Sequence, residues 1–98
     1  MPTYRKTLRA DEDIKEIYRY TRRSWGRAQA ERYIRGLEQR FRALADNPLL
    51  GIEREDLQPL GLRSFVHSSH VIFYQPQPYG VLIVRVLHGR QDAKTHLA

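Results

Sequence analysis

LRSFVHSSHVIFYQPQPYGVLIVRVLH, residues 62–88, is the stretch on which the fold turns. It holds three runs, 62–66, 70–75 and 81–88, rich in Val, Ile, Leu, Phe and Tyr, side chains that suit a pleated and half-buried surface. Only His67 and the Ser68-Ser69 link separate the first two, and Pro76-Gln-Pro-Tyr-Gly80 separates the last two. Links this short join antiparallel neighbours, because a parallel pair needs a crossover of roughly a dozen residues or more. The stretch therefore predicts a three-stranded meander.

Upstream of the meander the period changes from two to 3.6. Residues 3–8 alternate in side-chain type and read as a short first strand. Asp11, Glu12 and Asp13 mark a helix start, where carboxylates meet the positive end of the peptide dipoles. Ile14, Ile17, Tyr18, Thr21 and Trp25 then form the stripe of an amphipathic helix, and Gly26 lets the chain reverse. A second stripe, Ala30, Tyr33, Ile34, Leu37, Phe41, Leu44 and Ala45, runs to Asn47-Pro48, where proline disfavours helix in the residue before it. Residues 49–61 read as a loop, and residues 90–98 as a short terminal helix or a tail. The order β-α-α-β-β-β is that of a single α+β domain over residues 1–98, with a helical hairpin packed on one face of an antiparallel sheet. The other face is left for solvent or a partner.

A chain of 98 residues, 41% hydrophobic and 29% charged, is the size of one domain with one core. The cysteine count of zero excludes disulfides and thiolate metal sites. No apolar run approaches the roughly 20 residues of a membrane span, and the first residues lack the apolar core of a signal peptide. The expectation is a soluble cytoplasmic protein with no membrane contact. A formal charge of +6, concentrated in the helical half, suggests an acidic partner or nucleic acid. The absence of one clustered basic stripe argues against a simple electrostatic DNA clamp.

Few residues call for chemistry. His67-Ser-Ser-His70 has the closeness of a metal pair but lacks a nearby cysteine or carboxylate pair, so these residues, like His88 and His96, read as ordinary turn and strand residues and no metal is expected. Arg85 interrupts an apolar strand. Strict alternation puts it with Val81, Ile83 and Leu87, and puts Val84, Val86 and His88 on the other face. It is then either a solvated residue or an anchor for a carboxylate or phosphate, with Arg63 as companion. Trp25, at helical spacing, reads as core, and Phe73 and Tyr74 point to opposite sheet faces. No nucleophile elbow, P-loop or zinc-protease motif is present. Nuclease is the one enzyme class left, since arginine or lysine can stabilise a pentavalent phosphate while histidine moves a proton.

The series Tyr20-Thr-Arg-Arg-Ser-Trp25-Gly26, Ala28-Gln-Ala-Glu-Arg-Tyr33, Leu44-Ala-Asp-Asn-Pro48, Leu62-Arg-Ser-Phe65, His70-Val-Ile-Phe-Tyr74 and Arg85-Val-Leu-His-Gly-Arg-Gln-Asp92 resembles, nearly end to end, the ParE toxins of bacterial type II toxin-antitoxin systems. The resemblance implies a helical hairpin on an antiparallel sheet, a ParD-like antitoxin as partner and DNA gyrase as target, inhibited by binding, with no cofactor. It also implies no direct DNA binding without the antitoxin. RelE-like toxins share the fold and cut mRNA on the ribosome with a basic cluster and, in RelE itself, an aromatic hydroxyl near the C-terminus. Here Arg63, Arg85, Arg90 and Lys94 are the only Lys or Arg after residue 60, and the last tyrosine, Tyr79, lies in a turn. Gyrase is therefore the expected target, with a ribosome-dependent endoribonuclease and a non-toxic binding module as alternatives. Expected antitoxin contacts are Ile14, Tyr18, Trp25, Arg63, Phe73 and Arg85. Expected target contacts are His88, Arg90, Asp92 and Lys94, and no residue is assigned a catalytic role.

Overall fold

Thr7 sets where the helical half begins. In the computed structural model, which describes residues 1–97, its backbone is extended, and its side-chain oxygen accepts from the Ala10 N–H at 3.0 Å. The same hydroxyl donates to the Val84 carbonyl at 2.7 Å, which ties the cap to the sheet. Strand β1 is therefore Thr3–Lys6, and helix α1 is Leu8–Trp25, starting ahead of the acids that mark it in the sequence. Gly26 links the helices at a φ of 91°, where a side chain would be strained, and α2 follows as Arg27–Asp46. The two helices form the expected hairpin.

Segment 49–61, expected as loop, contributes a two-residue strand β2 (Ile52–Glu53) and a 3₁₀ turn at Glu55–Leu57. The meander follows as β3 (Arg63–His67), β4 (His70–Gln77) and β5 (Gly80–His88), and the chain closes with α3 (Ala93–Leu97). The five strands lie in the order β1-β5-β4-β3-β2. All pairings are antiparallel except that of β1 with β5, where Thr3 to Lys6 run alongside Gly80 to Ile83. That pair is parallel because the intervening chain, hairpin and meander together, acts as its crossover.

The main core lies between the hairpin and the sheet: Ile17, Leu37, Phe41 and Leu44 pack on Ile72, Tyr74, Val81, Ile83 and Val86. The opposite face is not simply open. Leu57, Leu62, Phe73 and Leu87 form a second cluster there, flanked by Ala93 and Leu97 of α3. Phe73 and Tyr74 face opposite sides, as alternation requires.

One departure from alternation matters for the site. Phe73 pairs with Arg85 but Tyr74 pairs with Ile83, so Val84 is an extra residue in β5. This β-bulge changes the phase of the strand. Ile83 and Val86 both join the helix-side core, whereas Val84 and Leu87 pack in the second cluster. The face assignment drawn from strict period two is thereby corrected: Leu87 parts from Ile83, and Val86 parts from Val84.

Candidate binding groove between α1 and the end of β5

Because β1 stops at Lys6, opposite Ile83, the last residues of β5 have no strand beside them on that edge. Helix α1 crosses there instead, and Asp13 takes the place of a strand. Its Oδ2 accepts from the Val86 N–H at 3.0 Å and from Arg85 Nε at 2.7 Å, while Oδ1 accepts from Arg85 Nη2 at 2.9 Å. Arg85 Nη1 donates onward to the His96 carbonyl at 3.0 Å, so one guanidinium joins α1, β5 and α3. Hydrogen bonding to the Asp13 carboxylate raises the Arg85 pKa above its ordinary value, against the opposing effect of burial. Arg85 is only 8% exposed, so it is neither a solvated strand residue nor an available anchor. Arg63 is not its companion: it donates to the Gly51 and Leu49 carbonyls and holds the segment after α2.

Above this ion pair runs a groove of about 290 Å³. Ile17 and Val86 are its apolar floor, Glu16 and Tyr20 line its helix side, and His70, His88 and Gln91 line its strand side. At the strand end, β3, β4 and β5 bring His67, His70 and His88 into consecutive cross-strand pairs. The Tyr33 hydroxyl from α2 lies 2.6 Å from His70 Nδ1, and the His70 and His88 rings meet edge to face at 5.6 Å. Burial, then the neighbouring His88 and His67, pushes the His70 pKa down to about 4. Burial and then Arg40 lower that of His67 as well. At neutral pH the His70 ring is uncharged, and its Nδ1 is free to accept the tyrosine hydroxyl hydrogen. Among the described residues no three histidine or carboxylate side chains converge as a metal-ligand set.

The other residues singled out in the sequence divide between inside and outside. Ile14 packs on the main core and Tyr18 is half-buried along α1. Phe73 is buried under the Arg54 guanidinium, 5.4 Å from the ring centroid, and so cannot meet a partner docking on this conformation. Trp25, expected in the core, is 73% exposed at the hairpin tip, outside the groove. Every residue of the last turn of α1, from Arg22 to Trp25, is exposed.

His88 at the end of β5, Arg90 in the turn after it and Lys94 in α3 are exposed. Asp92 is exposed too, but its carboxylate accepts from the Lys94 N–H and the Thr95 hydroxyl as a helix cap. Asp13, Glu16, Ile17, Tyr20, Val86 and Gln91 were not singled out as contact residues. The β-bulge and the early end of β1, which together place them around the groove, leave no periodic signal.

The comparisons with known proteins agree with this architecture. The family model described as "ParE toxin of type II toxin-antitoxin system, parDE" matches residues 4–93. Toxin ParE of Escherichia coli is 39% identical over 99 residues, covering 100% of this chain and 95% of that protein. Toxin ParE1 of Caulobacter vibrioides is 37% identical over 97 residues and 99% of each chain. Toxin ParE1 of Mycobacterium tuberculosis is 36% identical over 89 residues and 90% of each. Among solved structures, the chromosomal ParDE system of P. aeruginosa superposes with a TM-score of 0.74 over 90% of this chain and 96% of that one, at 17% identity, which bears on fold alone. The chain belongs to the ParE toxin family of type II toxin-antitoxin systems.

Proposed function

We propose that the chain is a toxin neutralised by a ParD-like antitoxin seated in the groove between α1 and the end of β5, and that it inhibits DNA gyrase by binding. The carrying observation is the family match over residues 4–93. The groove supports the first half of the reading. It offers an apolar floor at Ile17 and Val86 beside Tyr20, a surface suited to apolar side chains of a segment that folds on binding. The net charge of +6 favours fast capture of an acidic, disordered chain. Of the expected antitoxin contacts, Tyr18 is half-buried on α1; Ile14 acts through the core beneath, and Phe73 and Arg85 hold the surface in shape.

The choice of binding over RNA cleavage rests on Arg85. Arg85, the strand arginine nearest to His70 and His88, is closed onto Asp13 and so is not free to stabilise a pentavalent phosphate. Target contacts are assigned to His88, Arg90 and Lys94, with Asp92 setting the local backbone.

Two assays test the reading. Supercoiling by purified gyrase should fall on adding the free chain and recover on adding the antitoxin encoded beside it. Intact supercoiling together with cleaved mRNA in a translating extract would instead make the chain a ribonuclease. Failure of the neighbouring acidic protein to co-purify or to rescue growth would remove the antitoxin half.

A further inference from the structure

The tip of the helical hairpin combines charge and aromatic surface in a way that neither the core nor the groove uses. Residues 17–30 contain Arg19, Arg22, Arg23 and Arg27, together with Tyr18, Tyr20 and Trp25, and no acidic residue. Every residue from Arg22 to Gln29 is exposed. Trp25 is 73% exposed; Tyr20, 62% exposed, belongs to the groove wall as well. Two of the guanidiniums lie on carboxylates at the margins, Arg19 on Glu16 and Arg27 on Glu31, both through solvent-exposed pairs that exchange easily. Arg22 and Arg23 make no ion pair among the described residues. A tryptophan left in water at a helix end marks an interaction surface more strongly than a scattered leucine does.

We propose that this tip binds unpaired nucleic acid, with Arg22, Arg23 and Arg27 on successive phosphates and Trp25 stacked on an exposed base. Shape favours that ligand over an acidic protein segment. Among the described residues, none of the five best-formed grooves is lined by Arg22, Arg23 or Trp25, so none of these offers a pocket at the tip for an apolar anchor. Shape also favours a single strand over a duplex. Two packed helices, each about 10 Å across, are too wide for a major groove of about 12 Å, whereas an unstacked base can reach the indole face from outside. The residues assigned to this contact, Arg22, Arg23, Arg27 and Trp25, do not line the groove between α1 and β5. The contact departs from the expectation, implied by the resemblance, of no direct DNA binding without the antitoxin.

Trp25 is the only tryptophan, so its fluorescence reports the contact directly. The free chain is titrated with a 20-nucleotide dT strand, the matching U strand, a 20-base-pair duplex and polyglutamate. Expected are quenching and saturable binding by the single strands, weakening about 10- to 20-fold between 50 and 200 mM salt for about three phosphate contacts. The tighter of dT and U identifies DNA or RNA as the natural source. The doubly substituted R22Q/R23Q chain should lower the logarithmic salt slope by about 1.4, and Trp25→Ala, followed by anisotropy of labelled dT, should weaken binding at least about fivefold. Both changes lie on exposed surface, and circular dichroism checks that the fold is kept. Equal affinity for duplex or for polyglutamate would overturn the proposal, the latter in favour of an acidic protein partner. Absence of quenching, or an unchanged salt slope in R22Q/R23Q, would overturn it as well.

Discussion

Asp13→Ala is expected to be among the most damaging single substitutions outside the main core. The carboxylate accepts three hydrogen bonds, two from Arg85 and one from the Val86 N–H. Removing it leaves a guanidinium that is 8% exposed with the His96 carbonyl as its remaining partner, and orphans the amide of Val86 on the strand edge. Breaking a buried pair from one side costs about 3–5 kcal/mol, because the surviving charge is left uncompensated. The side chains here retain 9% and 15% of their exposure, so the lower end, about 3 kcal/mol, applies. For a domain of this size that is a loss of about 12–24 °C in Tm. Urea unfolding followed by far-ultraviolet circular dichroism measures it. The pairwise origin is checked by a cycle with Arg85→Met: in that background Asp13→Ala should cost at least about 1 kcal/mol less. A cost below about 1 kcal/mol in the otherwise intact chain, or perfect additivity with Arg85→Met, would refute the assignment of Asp13 as the group that holds α1, β5 and α3 together.

Three further outcomes follow from the same geometry. The His70 pKa of about 4 lies below the ordinary value of 6.5, so between those pH values the unfolded chain binds more protons than the folded one. This contribution, on the order of 1–3 kcal/mol, is complete above pH 6.5 and is lost as pH falls toward 4; His70→Gln should flatten that part of a stability-against-pH curve, and an unchanged slope counts against it. Tyr74→Phe removes the hydroxyl that accepts from the Gly51 N–H and donates to the Pro48 carbonyl, both at 2.8 Å, and should cost about 1–3 kcal/mol in thermal melts, with no loss meaning that water replaces both bonds. Arg90→Ala should weaken gyrase inhibition at least about tenfold while leaving antitoxin affinity and stability unchanged, since no side-chain contact of Arg90 is seen among the described residues; equal losses in both assays would sink the assignment of the C-terminal turn to the target. Deletion after Asp92 is a poorer probe, because it also removes Ala93 and Leu97 from the second cluster and the His96 carbonyl from Arg85.

The parts of the fold that were legible are those in which one periodicity runs without interruption. The stripe from Ala30 to Ala45 buries Ala30, Leu37, Phe41, Leu44 and Ala45, and the runs around Ile72 and Ile83 are the strands expected. Asn47-Pro48 does end α2, and Gly26 does reverse the chain. Illegible were features fixed by distant partners. The direction of β1 depends on where the meander's last strand returns, and Ile52–Glu53 is a strand only because Ser64 and Arg63 lie beside it. Both are tertiary outcomes that no local pattern of four or two residues encodes.

The candidate site shows the same division more sharply. Arg85 drew notice as a charge in an apolar strand, but its meaning depends on one inserted residue. Without the bulge at Val84, strict alternation puts Arg85 on the helix side with Ile83; with it, the guanidinium lies where it reaches Asp13 on one side and the His96 carbonyl on the other. Asp13 looked like one of three acids at a helix start, yet it differs from Asp11 and Glu12 because β1 ends too early to cover the Val86 amide. Trp25 is the converse case. It continues the spacing of Ile14, Ile17, Tyr18 and Thr21, and a stripe records only which side of a helix a residue occupies. An 18-residue helix is about 27 Å long, and its buried positions, Ala10 and Ile17, lie in its first two-thirds. The stripe therefore outruns the sheet. Its last member emerges into solvent in the same exposed turn as Arg22 and Arg23, so a pattern that signals burial in the middle of the helix ends in exposure.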